Sequence, residues 1–267
     1  MTIRIASLHR YPVKGLSPEP VPQVRLETGG YFPGDRIFAI ENGPSGFDPA
    51  DPRHKAKTHY LMLMRNEALA RLRSRYDDAT DTLVIEAEGG ARIAARCDDP
   101  EDAHAIAAFV ARQVPGDDLR GDAALLAAPA GFRFTDSREG FVSLINLASI
   151  AAIEGMVGAP VDPLRFRGNI HVTGLPAWGE FDLVGKVLEA PSGLRLEVTS
   201  PIVRCAATNV DPGTGLRDLS IPQALMRHLG HMDCGIYAKV IAPGSLAAGA
   251  HLTVSSERER EQGGLPF

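Results

Sequence analysis

The chain has 267 residues with 28 Lys and Arg against 33 Asp and Glu, a formal net charge of −5, and the two signs are interspersed along its length. That balance excludes a broad nucleic-acid face, which would gather cations on one side, and leaves room only for a local anion site. No stretch approaches the roughly 18 consecutive apolar residues of a membrane span, and three scattered cysteines do not make a disulfide framework, so a soluble protein of a reducing, cytoplasmic compartment is expected, large enough to bury a substantial core.

In chain order, MTIRIASLHRYPVKGL alternates apolar and polar residues and reads as a first strand over 3–8 rather than a leader peptide. Short β-branched runs recur at 24–26, 36–40, 82–85, 187–190 and 236–241, separated by turn-formers such as Gly29-Gly30, Pro33-Gly34-Asp35 and Pro191-Ser192-Gly193, the pattern of barrels or sandwiches. Helical patterning is confined to 67–76, 102–112, 148–156 and 221–229, the last with Ser220 as expected N-cap and Pro222 in its first turn. The chain thus reads as a β-rich mixed α/β protein whose helices decorate a sheet core. A Gly-, Asp- and Ala-rich stretch between Pro115 and Phe132 places a domain boundary near Ala124, giving units 1–124 and 125–267. The tail beyond Ser256 is a charged end.

Two segments carry chemistry. Between Thr199 and Gly215, Cys205 follows Arg204 and lies between a proline at Pro201 and an Asp211-Pro212-Gly213 turn. A neighbouring guanidinium favours the thiolate, the form that ligates soft metals or attacks electrophiles, although taken alone a single cysteine of this kind is more often a buried spectator. The second segment, from Arg165 to Val172, alternates like a strand. Such a strand would set Arg165, Arg167 and Asn169 on one face, either as an ordinary solvated row or as a cleft-facing row suited to a phosphate.

Together these segments resemble the signature of the MOSC domain, named for the C-terminal domain of molybdenum cofactor sulfurase. Tyr11-Pro-Val-Lys-Gly and Gly34-Asp-Arg-Ile-Phe-Ala resemble the β-barrel domain that precedes it in the amidoxime-reducing proteins. The resemblance runs from Arg4 to about Val254 and rests on four short motifs in the same order. It implies an N-terminal β-barrel-like domain followed by a MOSC β-barrel domain with peripheral helices. It also implies that Cys205 ligates the molybdenum of a pterin cofactor, and that Lys14, Arg36, Arg167 and Asn169 grip the pterin phosphate and ring. Arg204, Tyr237 and the backbone of Gly15 are further implied contacts, with Arg165 and Ser137 ranked below them. The chain departs from better-known members at Gly15, where they carry serine, and at Gly168, where they carry proline.

The implied activity is reduction of N-hydroxylated small molecules, with oxygen leaving as water. Protons come from solvent or a nearby acid, for which Asp211 and Tyr237 are candidates. Three cysteines cannot supply the four ligands of an ordinary iron–sulfur cluster, so electrons are expected from a separate ferredoxin- or cytochrome-type protein rather than an internal relay. The alternative is a sulfur-carrier or cofactor-delivery module in which Cys205 holds a persulfide or the barrel passes the pterin on. Other features read as structure: His228, His231 and Cys234 lack a fourth zinc ligand, Cys97 sits in a turn approaching a helix, and the run from Tyr60 to Arg65 reads as core. Trp178 either walls the substrate cleft or caps a loop.

Overall fold

A computed structural model describes residues 2–136 and 141–255, so Ser137 and the charged tail lie outside the described residues. The strands and helices of the N-terminal part are β1 (Thr2–Arg10), β2 (Glu19–Val21), β3 (Gln23–Leu26), β4 (Phe38–Asn42), β5 (Arg73–Asp77), β6 (Thr82–Glu86), β7 (Arg92–Arg96), α1 (Pro100–Ala111) and β8 (Ala123–Ala127). They are followed by β9 (Val142–Asn146), α2 (Leu147–Val157), β10 (Ile170–Thr173), β11 (Val187–Glu189), β12 (Arg195–Val203), α3 (Ile221–Leu229), β13 (Asp233–Ala242), β14 (Gly244–Ala247) and β15 (His251–Val254). Among the described residues no helix is long and apolar enough to cross a membrane.

Seven strands close a barrel in the order β10-β9-β13-β12-β11-β15-β1, with β1 pairing back onto β10 and β2 extending the sheet beyond β1. The alternation noticed in the first ten residues supplies the reason: Ile3, Ile5 and Leu8 point inward onto Leu144, Ile170, Leu196, Ile236 and Leu252, while Thr2, Arg4 and Ala6 face solvent. A bulge between Ile5 and Ser7 restores the inward phase at Leu8. The barrel of the C-terminal part is therefore completed by the first strand of the chain. A second body contains the β4–β8 pair, the β5-β6-β7 sheet and α1 around Val13, Phe38, Leu83, Ile85 and Ile106. Ala124, near the expected boundary, lies within β8 opposite Glu41. Helices α2 and α3 pack outside the barrel over Ile145, Phe166 and Cys234.

Three of the four expected helices form. Asp99 caps α1 by accepting from the amides of Glu101 and Asp102 at 3.0 Å, and Asn146 caps α2. Helix α3 has the expected span, but Ser220 makes no capping bond; the amide of Ile221 donates instead to Asn209 Oδ1 at 2.9 Å. The expected helix over 67–76 does not form. A 3-10 turn covers Glu67–Arg71, and β5 follows because Ser74 alternates as a buried position between exposed Arg73 and Arg75, opposite β6.

The seam that closes the barrel carries a buried polar pair. Ser7 of β1 stands opposite His171 of β10, and the rings of His9 and His171 lie 4.7 Å apart. His171 is 4% exposed, its Nε2 has no partner, and burial pushes its imidazole down to about 3; burial lowers His9 too. The unfolded chain, with ordinary imidazoles near 6.5, binds more protons than the folded one between those limits. Stability from this group is therefore complete above about pH 6.5 and lost as pH falls toward 3, on the order of a few kcal/mol. The denaturation midpoint should be flat from pH 7 to 8 and fall below pH 6, and His171→Phe should reduce that acid slope. An unchanged slope in the variant would contradict this reading of the seam.

Candidate functional site

Where β1 ends, the chain turns inward over Tyr11–Leu16, and the amide of Lys14 donates to Phe38 O at 2.8 Å. Gly15 adopts φ +87°, where a Cβ would also sit 3.2 Å from Leu61 O, so the glycine meets a backbone requirement that a serine would satisfy only under strain. Arg36 follows Asp35 with φ 48°, and its amide bonds Tyr11 O at 2.7 Å. Across the barrel rim, the segment expected to be a strand from Arg165 is instead a 3-10 turn over Pro163–Phe166, closed by Arg167 at φ 52°. The strand begins only at Ile170. At Gly168 a Cβ would stand 2.2 Å from Ile145 Cγ1, so close packing of the turn against β9 requires glycine there. Left-handed backbone at non-glycine residues is costly and collects at functional sites. Here it turns Arg36 and Arg167 into the same cleft.

The turn separates the residues that a strand would have aligned. Arg165 borders the cleft, but its guanidinium points to the following loop, bonding Asp218 twice at 2.8 Å, Asp211 at 3.0 Å and Asn209 O at 3.1 Å. It clamps the loop after Cys205 and is neutralised there. Asn169 also borders the cleft, with its amide used inside the rim: Oδ1 accepts from Ser143 Oγ at 2.9 Å, and Nδ2 donates to His9 O at 3.3 Å.

Strand β12 delivers Arg204 and Cys205. Arg204 donates to Cys234 O at 2.7 Å and Phe166 O at 2.9 Å and lies over the Phe166 ring. Cys205 opens a 3-10 turn over Ala206–Asn209, its carbonyl accepting from Thr208 Oγ1 at 3.0 Å, and it is half-buried on the cleft wall. Cys97 and Cys234 are buried in apolar clusters, and desolvation pushes both thiols up to about 12. Of the three cysteines, Cys205 alone lines the cleft. Tyr237 of β13 lines it too; burial holds its phenol above the usual value despite Arg204 and Arg36 nearby.

The cleft is about 230 Å³ and brings together every expected cofactor contact among the described residues. Its lining cations are Lys14, Arg36, Lys57, Arg165, Arg167 and Arg204, against the carboxylates of Asp35 and Asp136. Arg36 pairs with Asp35, and Lys14 pairs with Asp136 while donating to Phe134 O at 3.0 Å. Burial lowers Lys14 despite Asp136, lowers Arg204, and, with repulsion from Arg36, brings Arg167 down to about 10. Arg167 donates to Leu16 O at 2.6 Å, yet Nη2 of Arg167 and Nη2 of Arg204 are buried with no acceptor. Buried charged donors without partners are expensive, and an anionic group would satisfy them. The donor set therefore fits a phosphate-bearing group, with Cys205 as soft ligand beside it.

Sequence reading missed part of this wall. Leu63 and Met64, assigned to core, line the cleft with Met62, Ile202 and Val203; the apolar run had no visible feature marking its exposed end. Asp35 lay inside a recognised motif and Asp136 beside Ser137, but their pairing with the basic residues depends on folding. Trp178 stands away from the cleft, stacked on Phe181 with centroids 6.2 Å apart. Asp211 holds a turn, accepting from Thr214 and Gly213. Burial raises its carboxyl, but those bonds and Arg165 outweigh it and hold it below the usual range, and Asp211 does not line the cleft. No three His, Cys, Asp or Glu among the described residues gather to hold a metal ion.

Both parts of this fold match the models of a recognised family. The MOSC domain matches residues 131–253 and the MOSC N-terminal beta barrel domain matches residues 2–127, so the chain belongs to the MOSC domain proteins. Molybdenum cofactor sulfurase of Caenorhabditis elegans is 35% identical over 113 residues, which are 39% of this chain and 16% of that protein. The Caenorhabditis briggsae counterpart is 34% identical over the same length and shares. The chain thus matches a small part of these much longer relatives. The YUAD protein of Bacillus subtilis superposes with a TM-score of 0.47 at 16% identity, over 97% of this chain and 98% of that one. YiiM of Geobacillus stearothermophilus gives 0.35 at 21% identity over 45% of this chain and 56% of its own.

Native protein treated with iodoacetamide at pH 7.5 should acquire one adduct, on Cys205, with Cys97 and Cys234 reacting only after denaturation. Peptide mapping checks this, and modification of Cys234 in the folded protein at a similar rate would contradict the site as described.

Proposed function

We propose that this chain holds a molybdenum pterin cofactor through the Cys205 thiolate and reduces the nitrogen–oxygen bond of N-hydroxylated small molecules in the cytoplasm. The observation that carries the reading is one accessible thiol in a cleft whose lining cations, Arg167 and Arg204 among them, outnumber its carboxylates. Membership of the MOSC domain proteins and the partial match to proteins named molybdenum cofactor sulfurase support a role tied to that cofactor. The motif likeness to the amidoxime-reducing proteins supports the reaction. Three unpaired cysteines suit a reducing compartment.

Lys14, Arg36, Arg167 and Arg204 would hold the phosphate, and Asn169 and Gly15, which line the same cleft, would contact the ring. When bound, the group would supply two-electron redox chemistry. The reaction as a whole takes R–NH–OH, two electrons and two protons to R–NH₂ and water, with the electrons drawn from a separate ferredoxin- or cytochrome-type protein. Met62, Leu63, Met64, Ile202 and Val203 offer an apolar wall for the organic part of the substrate. Tyr237, whose phenol keeps its proton at neutral pH, is a proton-bearing side chain on the cleft wall and a candidate acid.

A second reading, a sulfur-carrier or cofactor-delivery module, is favoured by the name of the matched relatives. Turnover separates the two. Cofactor-loaded protein given a reduced viologen dye should consume a hydroxylamine-type substrate under the first reading. Persulfide labelling of Cys205 without turnover would replace it with the second. Cys205→Ala should abolish turnover, and full activity in that variant would exclude the thiolate as ligand.

A further inference from the structure

We propose that Tyr11 is the positioning residue of the anion site: its ring is the platform on which Arg36 and Arg167 are stacked and aimed, and its hydroxyl takes no part. The inference rests on the reading above that the cleft receives an anionic group, and adds to it the device that keeps the receptor assembled before the anion arrives.

Two like charges placed side by side in a buried site repel each other, and a phosphate-sized group would meet them only if something else held them. Tyr11 is fully buried behind the cleft, with Cζ of Arg36 4.7 Å and Cζ of Arg167 4.3 Å from its ring centroid. An aromatic face carries negative electrostatic potential and attracts guanidinium groups within about 6 Å. The backbone fixes the ring relative to both: Tyr11 N donates to Asp35 Oδ1 at 2.8 Å, Arg36 N donates to Tyr11 O at 2.7 Å, and Arg36 Nη2 donates to Arg167 O at 2.9 Å. The Tyr11 backbone and the Arg36 side chain thus tie the left-handed turns of both arginines to the residue whose ring they lie over.

The hydroxyl is a different matter. It is buried and has no hydrogen-bond partner, although three guanidinium groups act on it or feel it electrostatically. The oxygen makes no hydrogen bond to either arginine or to any other group of the chain, so it is not what aims the two guanidinium groups. The face of the ring is therefore the functional part, and phenylalanine should replace it.

The test uses the full chain purified without cofactor and inorganic pyrophosphate as probe, with affinity from calorimetry and folding from circular dichroism and thermal unfolding. Four proteins are compared: wild type, Tyr11→Phe, Tyr11→Leu, and a chain carrying pentafluorophenylalanine at position 11. The fluorinated ring keeps the shape and reverses the charge of the face. Tyr11→Phe should bind pyrophosphate within about twofold of wild type, while the leucine and pentafluorophenylalanine proteins should weaken by about tenfold or more with the fold intact. If the leucine variant does not fold, the fluorinated protein decides, because a merely space-filling ring would bind as well as wild type. Wild-type affinity in the fluorinated protein overturns the proposal, as does a tenfold loss in Tyr11→Phe. Absence of pyrophosphate binding in wild type overturns the anion-site reading itself, and the platform with it.

Discussion

Burial of guanidinium groups beyond what local carboxylates neutralise is the constraint on which the cleft depends. Asp35 and Asp136 answer three of the cations, Arg36, Lys14 and Lys57, while Arg167 and Arg204 are held by carbonyl oxygens of Leu16, Phe166 and Cys234 and by the faces of Tyr11 and Phe166. Carbonyl groups and aromatic faces orient a cation without cancelling its charge. One donor on each of these arginines is left without an acceptor, so the cleft they line keeps an uncompensated positive charge. The arrangement is stable enough to exist because the rest of the fold over-determines it, and the strained backbone of Arg36 and Arg167 is a sign of the same compromise.

Topology makes the meeting possible. Lys14 and Arg36 lie far in sequence from Arg204 and Cys205, yet β1 closes the barrel between β10 and β15 and so carries the Tyr11–Leu16 turn onto the rim where the Pro163–Phe166 turn and the end of β12 emerge. Arg165, by joining Asp211 and Asp218, fixes the loop that follows Cys205, and Asn209 at the end of the cysteine turn caps α3. The thiol is thus anchored from the helical layer while the cations are anchored from the barrel.

Much of this was legible before folding. The inward phase of Ile3, Ile5 and Leu8, the span of α3, and the grouping of Lys14, Arg36, Arg167, Arg204, Cys205 and Tyr237 all follow from alternation, turn residues and motif likeness. What escaped has physical causes. The alternation from Arg165 mimicked a strand, but Asp162 and Pro163 start a 3-10 turn, and the left-handed Arg167 reverses the chain, which residue types alone do not announce. The periodicity over 67–76 is short enough to fit helix and strand alike, and pairing with β6 decides between them for Arg73–Asp77. Tyr11 was read as part of a motif, and only the packed structure shows two guanidinium groups on its faces.

The central claim is that this cleft is built for the molybdenum pterin. Its most direct test is joint analysis of metal and pterin in well-folded wild-type protein purified from a host that makes the cofactor. The account predicts molybdenum and pterin together, in stoichiometric amounts. Folded protein that carries neither would contradict it.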